Sequence, residues 1–526
     1  MNGVGFLMVV ICAVALTALA NRRGWPGPLV VVAVASAVSF IPGLPRMELP
    51  AQLILAVVLP PLLYSAALEL SFVSFRRDLR PILSLGVGLV VFTAVAVGFA
   101  AWGIVPSLSA GGAFVLGAVL APSDAVAAVT LGRRVGLPNR LMTILTGESL
   151  VNDAVALVAF QLAVAAYAGY RPFIAQPALL ACYSVVVGIG VGLVAAVVVH
   201  QIRPRLHDPA LETVLGAIVP FAAYLAADQA HASGVLAVVA AGFWIGHHNA
   251  DAAFATRLQS RQVWRTTDLL LEAFVFAYMG LQVRTILDAA VGEGAGPAML
   301  VLAVGVVLLV VVLARPLWVF TPMLLVVPRR ISWRAATVVS WSGMRGVVTL
   351  AAAAAVPATT IAGAPTPDRN LIQAIALLVA VLTILLQGAT LRPLVRALRV
   401  SDAAERRRAD ADLSRALRVA RKAAHEVTAR AAASGNAVEA ATLALIERRI
   451  AHVLTAAPHR LAGLQETAPA AEQPAHELVQ QILAHQRRAL IRERNRGRLD
   501  DEVLRAVLQQ LDYEEAAACT DLRTRL

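Results

Sequence analysis

Between Val4 and about residue 400 the chain alternates between long apolar runs and short polar connections. Thirteen runs stand out, at 4–20, 28–44, 51–69, 81–104, 109–131, 140–168, 176–201, 209–227, 231–247, 267–287, 297–326, 334–357 and 371–397. Most approach or exceed the ~20 residues that carry a helix across a ~30 Å hydrocarbon layer. Past residue 400 the pattern changes, and Arg, Glu, Asp and Gln become frequent. That region reads as amphipathic helices over 402–433, 436–456, 474–495 and 499–517, with a linker at 467–474. Val503, Leu504, Val507, Leu508 and Leu511 fall on one helical stripe. The expected fold is an all-α integral membrane protein. A transmembrane domain of about 13 helices covers 1–400, and a helical tail covers 401–526.

Charge in the connections sets the topology. Every odd-numbered connection is arginine-bearing, from Arg22 and Arg23 through Arg76, Arg77 and Arg80 to Arg329, Arg330 and Arg334, sixteen arginines in all. The alternate connections hold four, Arg46, Arg171, Arg284 and Arg369. Cytoplasmic loops carry the excess of positive charge, so the N-terminus is expected outside and the tail in the cytoplasm. Composition agrees: 59% of the 526 residues are hydrophobic, against about 45–50% in soluble domains. A net charge of +12 would by itself suggest nucleic acid. Here the arginines lie in short loops and an acid-balanced tail, without an aromatic-interleaved basic patch. The first run has no basic residues before it and no clear cleavage site, so it reads as a retained helix. Cys12, Cys182 and Cys519 form neither a metal motif nor a disulfide framework.

Ionisable residues inside the runs are costly and mark function by default. Asp124 lies in the fifth run, within Ala121-Pro122-Ser123-Asp124-Ala125-Val126. Glu148 and Asp153 lie in the sixth, within Gly147-Glu148-Ser149-Leu150-Val151-Asn152-Asp153-Ala154. Arg315 is in the eleventh and Arg345 in the twelfth, while Glu69 and Glu272 sit nearer the ends of the third and tenth. Asp153 is about 20 Å into its helix at 1.5 Å per residue. Asp124 reaches a similar depth from the other side, so the two acids can face one another near the midplane. Ser149 precedes Asp153 by four residues and shares its face. Pro122 lacks a backbone donor, and Gly343 and Gly346 bracket Arg345, so the fifth and twelfth runs both look breakable. Broken helices in two repeats point to a transporter site. The offset of seven between them makes repeats 1–6 and 8–13 inverted.

A hard monovalent cation takes oxygen ligands, and Asp153, Asp124, Ser123, Ser149 and Asn152 supply them. A carboxylate in a partly dehydrated cavity holds either a proton or a cation, not easily both. That competition, with alternating access, suffices for exchange. The plainer reading, buried ion pairs that lock helices together, suits Glu148, Arg315 and Arg345 better, since arginine does not release its proton. Glu69 and Glu272 can simply reach the interface, and His231, His247, His248 and Asp228 read as solvated helix-end groups.

Taken together, Gly147 to Ala154, Ala121 to Val126, Leu59-Pro60-Pro61-Leu62-Leu63-Tyr64, Glu272-Ala273-Phe274-Val275-Phe276 with Gly280-Leu281-Gln282, and Trp341-Ser342-Gly343-Met344-Arg345-Gly346 resemble the cation:proton antiporters of the NhaP and sodium/proton exchanger type. The resemblance covers roughly 5–400. The segment Asp500 to Arg505, with Leu511 to Glu515, resembles the tail of bacterial members. The resemblance implies a homodimer in the bacterial plasma membrane, with a core domain moving against a dimerisation domain. It implies that Asp153 carries the ion, helped by Asp124, Ser123, Ser149 and Asn152, and that Glu148 pairs with Arg315. It further implies one cation exchanged for one proton without net charge, in pH and cation homeostasis. Many relatives carry a glutamate after the aromatic of the Leu-Pro-Pro motif, a partner for the twelfth-run arginine. Ser65 stands there instead, which leaves the partner of Arg345 open, with Glu69 a candidate. The chain is expected to be a transporter and not an enzyme, with no cofactor beyond the moving ions. Sodium, lithium and potassium remain open as cargo. A cation channel and a non-transporting membrane sensor with the tail as output are the competing classes.

Overall fold

The computed structural model describes residues 3–42, 53–124, 129, 132, 137–169, 174, 176–206, 208–249, 252–292, 296–325, 332–361, 364–400, 403–433 and 473–523. The expected helix at 436–456, most of the linker, Ala125, Val126 and the loop arginines Arg46, Arg133, Arg134, Arg171, Arg329 and Arg330 lie outside them. The described residues contain helices and no named strand, only one isolated bridge between Thr359 and Pro365. The chain divides into two compact units, Met1–His247 with Arg261–Ser401, and His248–Ser260 with Asp402–Leu526.

In the first unit the helices are α1 (Gly3–Arg22), α2 (Gly27–Ser39), α3 (Leu59–Glu69), α4 (Val90–Ile104), α5 (Ala110–Leu120), α6 (Asn139–Ala168) and α7 (Pro177–Ile202). They continue as α8 (Pro209–Gln229), α9 (Gly234–His247), α10 (Phe254–Gly292, whose residues up to Ser260 belong to the second unit), α11 (Pro297–Leu325), α12 (Trp333–Trp341), α13 (Val347–Ala354) and α14 (Arg369–Leu398). A π-helical turn, Ile54–Val58, leads into α3, and another, Ser84–Leu89, joins Leu79–Leu83 to α4. Among the described residues eight helices are long and apolar enough to cross a membrane, and Gly27–Ser39, Ile54–Glu69, Ala110–Leu120 and Gly234–His247 are shorter apolar ones. Each of the thirteen apolar runs is helical over at least part of its length.

Backbone polarity explains why helices are used: a segment in lipid must satisfy its N–H and C=O groups internally. The outward faces are apolar to match, with Val194 64% and Val301 73% exposed. Helix α10 has 39 residues, about 58 Å at 1.5 Å per residue and nearly twice the hydrocarbon thickness. Its first turns, bearing Arg257, Arg261 and Arg265, thus extend the helix well before the apolar run begins at 267.

Two bundles build the first unit. One gathers α4, α5, α6 and α11–α14, and the other gathers α3, α7, α8 and α9. Gly117 lets α5 lie directly on α4, because a Cβ there would stand 2.1 Å from the Ala94 carbonyl oxygen. The bundles meet where Leu59, Leu63 and Tyr64 of α3 join Leu150 and Ala154 of α6 and Val348 of α13 in one apolar cluster. The middle of α10, Ala273 to Met279, packs with Val31 and Val32 of α2 and Met344.

In the second unit, α15 (Ala403–Ala433), α16 (Gln473–Asn495) and α17 (Asp501–Arg523) pack through Ala416, Ala420, Leu483, Leu490 and the stripe Leu504, Val507, Leu508 and Leu511. The buried carboxylate of Asp512 takes the forked guanidinium of Arg257, whose Nε donates at 3.0 Å, and Nη2 of Arg487 at 2.8 Å. Arg487 also pairs with Glu515. Removing one member of such a buried network strands the others, at a cost of about 3–5 kcal/mol. Asp512→Ala is therefore expected to speed limited proteolysis within 403–523 while the protein still inserts; an unchanged digestion rate would show that the network does not hold this unit together.

Candidate functional site

The site forms where two helices stop short. Helix α5 ends at Leu120, and residues 121–124 run on without helical structure; Pro122 has no N–H to continue the ladder. Helix α12 ends at Trp341, and α13 resumes only at Val347. The two interruptions touch: the Asp124 backbone N–H donates to the Met344 carbonyl at 2.7 Å. Gly346 is required here, since a Cβ at that position would lie 1.7 Å from Oδ2 of Asp124. The Arg345 backbone N–H donates to the Thr383 hydroxyl at 3.1 Å, so α14 supplies a further acceptor to the second break.

Beside the crossing is a buried polar knot. Arg315 of α11 forks onto Glu148 of α6: Nη2 donates to Oε2 at 2.7 Å, and Nη1 bonds Oε1. Its Nε donates to the Val339 carbonyl at 2.7 Å, tying α11 to the end of α12. The Ser123 hydroxyl donates to Oε1 of Glu148 at 2.8 Å and accepts from Nη1 of Arg315 at 3.0 Å. Asn152 donates its amide to both the hydroxyl and the carbonyl of Ser123, each at 2.9 Å. Glu148 and Arg315 are 2% and 3% exposed, so their charges are compensated within the knot.

Asp153 is also buried, as is Ser149 one turn earlier. Glu148 is paired with Arg315, and Asp124 enters the crossing through its backbone N–H. The turn that carries Asp153 is flanked by Leu150 and Ala154, which pack against α3; Asp153 therefore sits at the seam between the bundles.

Of the sequence-expected residues, Ser123, Glu148, Asn152 and Arg315 are joined in one network, while Asp153 and Ser149 are buried on the same helix as Glu148. Arg345 is 3% exposed, and its Nη1 donates to the Gly343 carbonyl at 2.8 Å, so a guanidinium at a helix break is held by a freed carbonyl. Ser65 meets Asp268 of α10, its hydroxyl donating to Oδ1 at 2.7 Å. Sequence reasoning missed Asp268, whose four-residue spacing from Glu272 was the available signal. It also missed Thr383, which looks like any membrane-helix threonine, and buried Asp78, which accepts from Nε of Arg140 at 2.9 Å and holds the start of α6.

Known proteins now bear on this geometry. The family described as sodium/hydrogen exchanger, transmembrane, matches residues 6–397. The chain belongs to the sodium/hydrogen exchanger family. An uncharacterized Na(+)/H(+) exchanger of Mycobacterium tuberculosis is 33% identical over 537 residues, covering 98% of this chain and 96% of that one. A sodium, potassium, lithium and rubidium/H(+) antiporter of Bacillus pumilus is 30% identical over 73% of this chain and 60% of its own length. The solved sodium proton antiporter MjNhaP1 of Methanocaldococcus jannaschii aligns over 75% of this chain and 97% of its own, with a TM-score of 0.59 and 19% identity. That likeness establishes a shared fold, and the chain is a multi-pass membrane protein of this antiporter family.

The knot carries a direct expectation. Glu148→Ala or Arg315→Ala leaves an uncompensated charge in a dry site, at about 3–5 kcal/mol. Thermal unfolding in detergent should drop markedly for each variant, and equal stability to the parent protein would remove the case for a structural pair.

Proposed function

We propose that this protein exchanges sodium, or another monovalent alkali cation, for protons across the plasma membrane, with Asp153 as the carboxylate that binds them in turn. The observation that carries this reading is the contrast between two acids of one helix. Glu148 is spent on Arg315, while Asp153, five residues on, is buried and forms no ion pair among the described residues.

A desolvated carboxylate without a basic partner must take up a cation or a proton. Oxygen ligands suit a hard cation; Asp124 and Ser149 are the candidates to complete a shell, while Ser123, held by Glu148, Arg315 and Asn152, fixes the backbone beside Asp124. Asn152 contributes by fixing Ser123. When the two bundles slide along the apolar contact of Leu59 and Leu63 with Leu150 and Ala154, the site opens to one side and then the other. Arg315 stays with Glu148 throughout and holds α6 to α11 and α12 as one body. The protein works as a homodimer, N-terminus outside and tail in the cytoplasm, in pH and cation homeostasis. The name of the Bacillus pumilus relative supports a cargo range that includes potassium and lithium.

Neutral Asn152 leaves one cycling charge, so one proton should leave for each cation that enters. In leak-free proteoliposomes the rate is expected to be indifferent to an imposed membrane potential; acceleration by the potential would refute one-for-one exchange.

Asp153→Asn keeps size and hydrogen bonding but abolishes titration. With matched protein content it is expected to insert normally and to show no cation-driven proton flux at any pH, whereas Asp153→Glu retains weak flux. Near-normal exchange by Asp153→Asn would place the carrier elsewhere. Cation flux without coupled proton movement in the parent protein would indicate a channel, and no flux at all a sensor.

A further inference from the structure

Two buried guanidinium groups meet at the second break, and only one of them has an acid. Arg315 forks onto Glu148. Arg345 is as deeply buried, yet it forms no ion pair among the described residues. Its Nη1 donates to the Gly343 carbonyl at 2.8 Å, and its Nε has no acceptor among the described residues. Gly343 joins the two arginines: its carbonyl holds Arg345, and a Cβ on it would lie 2.7 Å from Cδ of Arg315. A buried charge without a counter-charge is costly, so packing alone does not explain Arg345.

The charges at the crossing can be set against one another. Glu148, Asp153 and Asp124, when ionised, carry one negative charge more than Arg315 and Arg345 offset. One monovalent cation or one proton brings this dry junction to neutrality. Without the Arg345 charge two would be needed, and a single cation would be held by a surplus of acid. Asp153 follows Glu148 by five residues, about 7.5 Å along α6, and Glu148 is tied through Arg315 to Gly343. Over the roughly 10–15 Å that this path spans, a unit charge in a partly dehydrated interior changes ion affinity about tenfold.

We propose that Arg345 sets the cation affinity of the exchange site: its uncompensated charge repels the bound ion, loosens its hold and limits the load to one positive charge. This rests on the exchange reading above. Arg345 does not touch the ion and acts on it through the field alone. Helix α14 offers an independent way to cancel that field. Its Thr390 hydroxyl accepts from Nε1 of Trp341 at 2.8 Å, and its Thr383 hydroxyl accepts from the Arg345 backbone N–H at 3.1 Å. Gln387 lies between them on the same helix face, alongside the break. A Cβ on the neighbouring Gly388 would stand 3.6 Å from the Met344 sulfur. Gln387 is 2% exposed, and its Oε1 has no hydrogen-bond partner among the described residues. A carboxylate at this position supplies the acid that Arg345 lacks.

The test pairs sodium-driven proton flux in proteoliposomes, scanned over sodium concentration, with binding of radioactive sodium to the protein in detergent. Arg345→Gln keeps an amide donor but removes the charge, whereas Gln387→Glu leaves Arg345 in place and neutralises it. Both are expected to lower the apparent KM and the binding constant for sodium about tenfold, with a lower maximal rate because a tightly held ion leaves slowly. Arg345→Lys and Gln387→Met should stay within about twofold of the parent KM. A residue that merely braces the break would lose rate with KM unchanged or raised. An unchanged or raised KM in Gln387→Glu therefore overturns the proposal, including where Arg345→Gln fails to insert. A comparable fall in Arg345→Lys or Gln387→Met overturns it too, because charge is then not the cause. A parent protein that neither binds nor exchanges sodium overturns the exchange reading instead; one that exchanges, with KM unmoved by Gln387→Glu, overturns only the role of Arg345.

Discussion

Interrupting a helix inside a bilayer strands backbone N–H and C=O groups that lipid cannot satisfy, and this protein interrupts two at the same place. The crossing survives because each break satisfies the other. Asp124 N–H finds the Met344 carbonyl, Arg345 N–H finds Thr383, and the Arg345 guanidinium turns back onto the Gly343 carbonyl. Close approach is possible only because residue 346 has no side chain. Everything chemical in the membrane unit is placed by this junction, since it sets Asp124 opposite the helix that carries Asp153.

Around the crossing, charge is divided by role. Glu148 and Arg315 neutralise each other bidentately and join α6, α11 and α12. Ser123 and Asn152 extend the same network to the first break. A buried pair of this kind adds little net stability over apolar packing, but losing one partner is expensive; its value lies in fixing one arrangement of helices. Asp153, five residues on from Glu148 in α6, is buried next to this network.

Where the bundles meet, Leu59, Leu63, Leu150 and Ala154 offer small or aliphatic contacts without directional bonds. Similarity to MjNhaP1 at 19% identity is what this logic allows: lipid-facing and sliding surfaces accept many aliphatic residues, so the fold outlasts the sequence.

Much of this was legible before any coordinates. Apolar runs near 20 residues and the alternation of arginine between connections determined a helical membrane body with a polar tail, because the bilayer imposes length and sidedness locally. Asp153, Ser149 and Asn152 stood out because an acid amid neutral oxygens, deep in an apolar run, is costly there, and all three are buried. Pro122, Gly343 and Gly346 marked the breaks. What the sequence left open were relations between segments distant along the chain. It did not show that Arg345 rests on the freed Gly343 carbonyl, that Ser65 meets Asp268 203 positions away, or that Asp512 of the tail binds Arg257. Those pairings depend on which helix faces turn toward each other in three dimensions. An apolar helix reads alike all round, so only tertiary packing decides which of its few polar side chains meet.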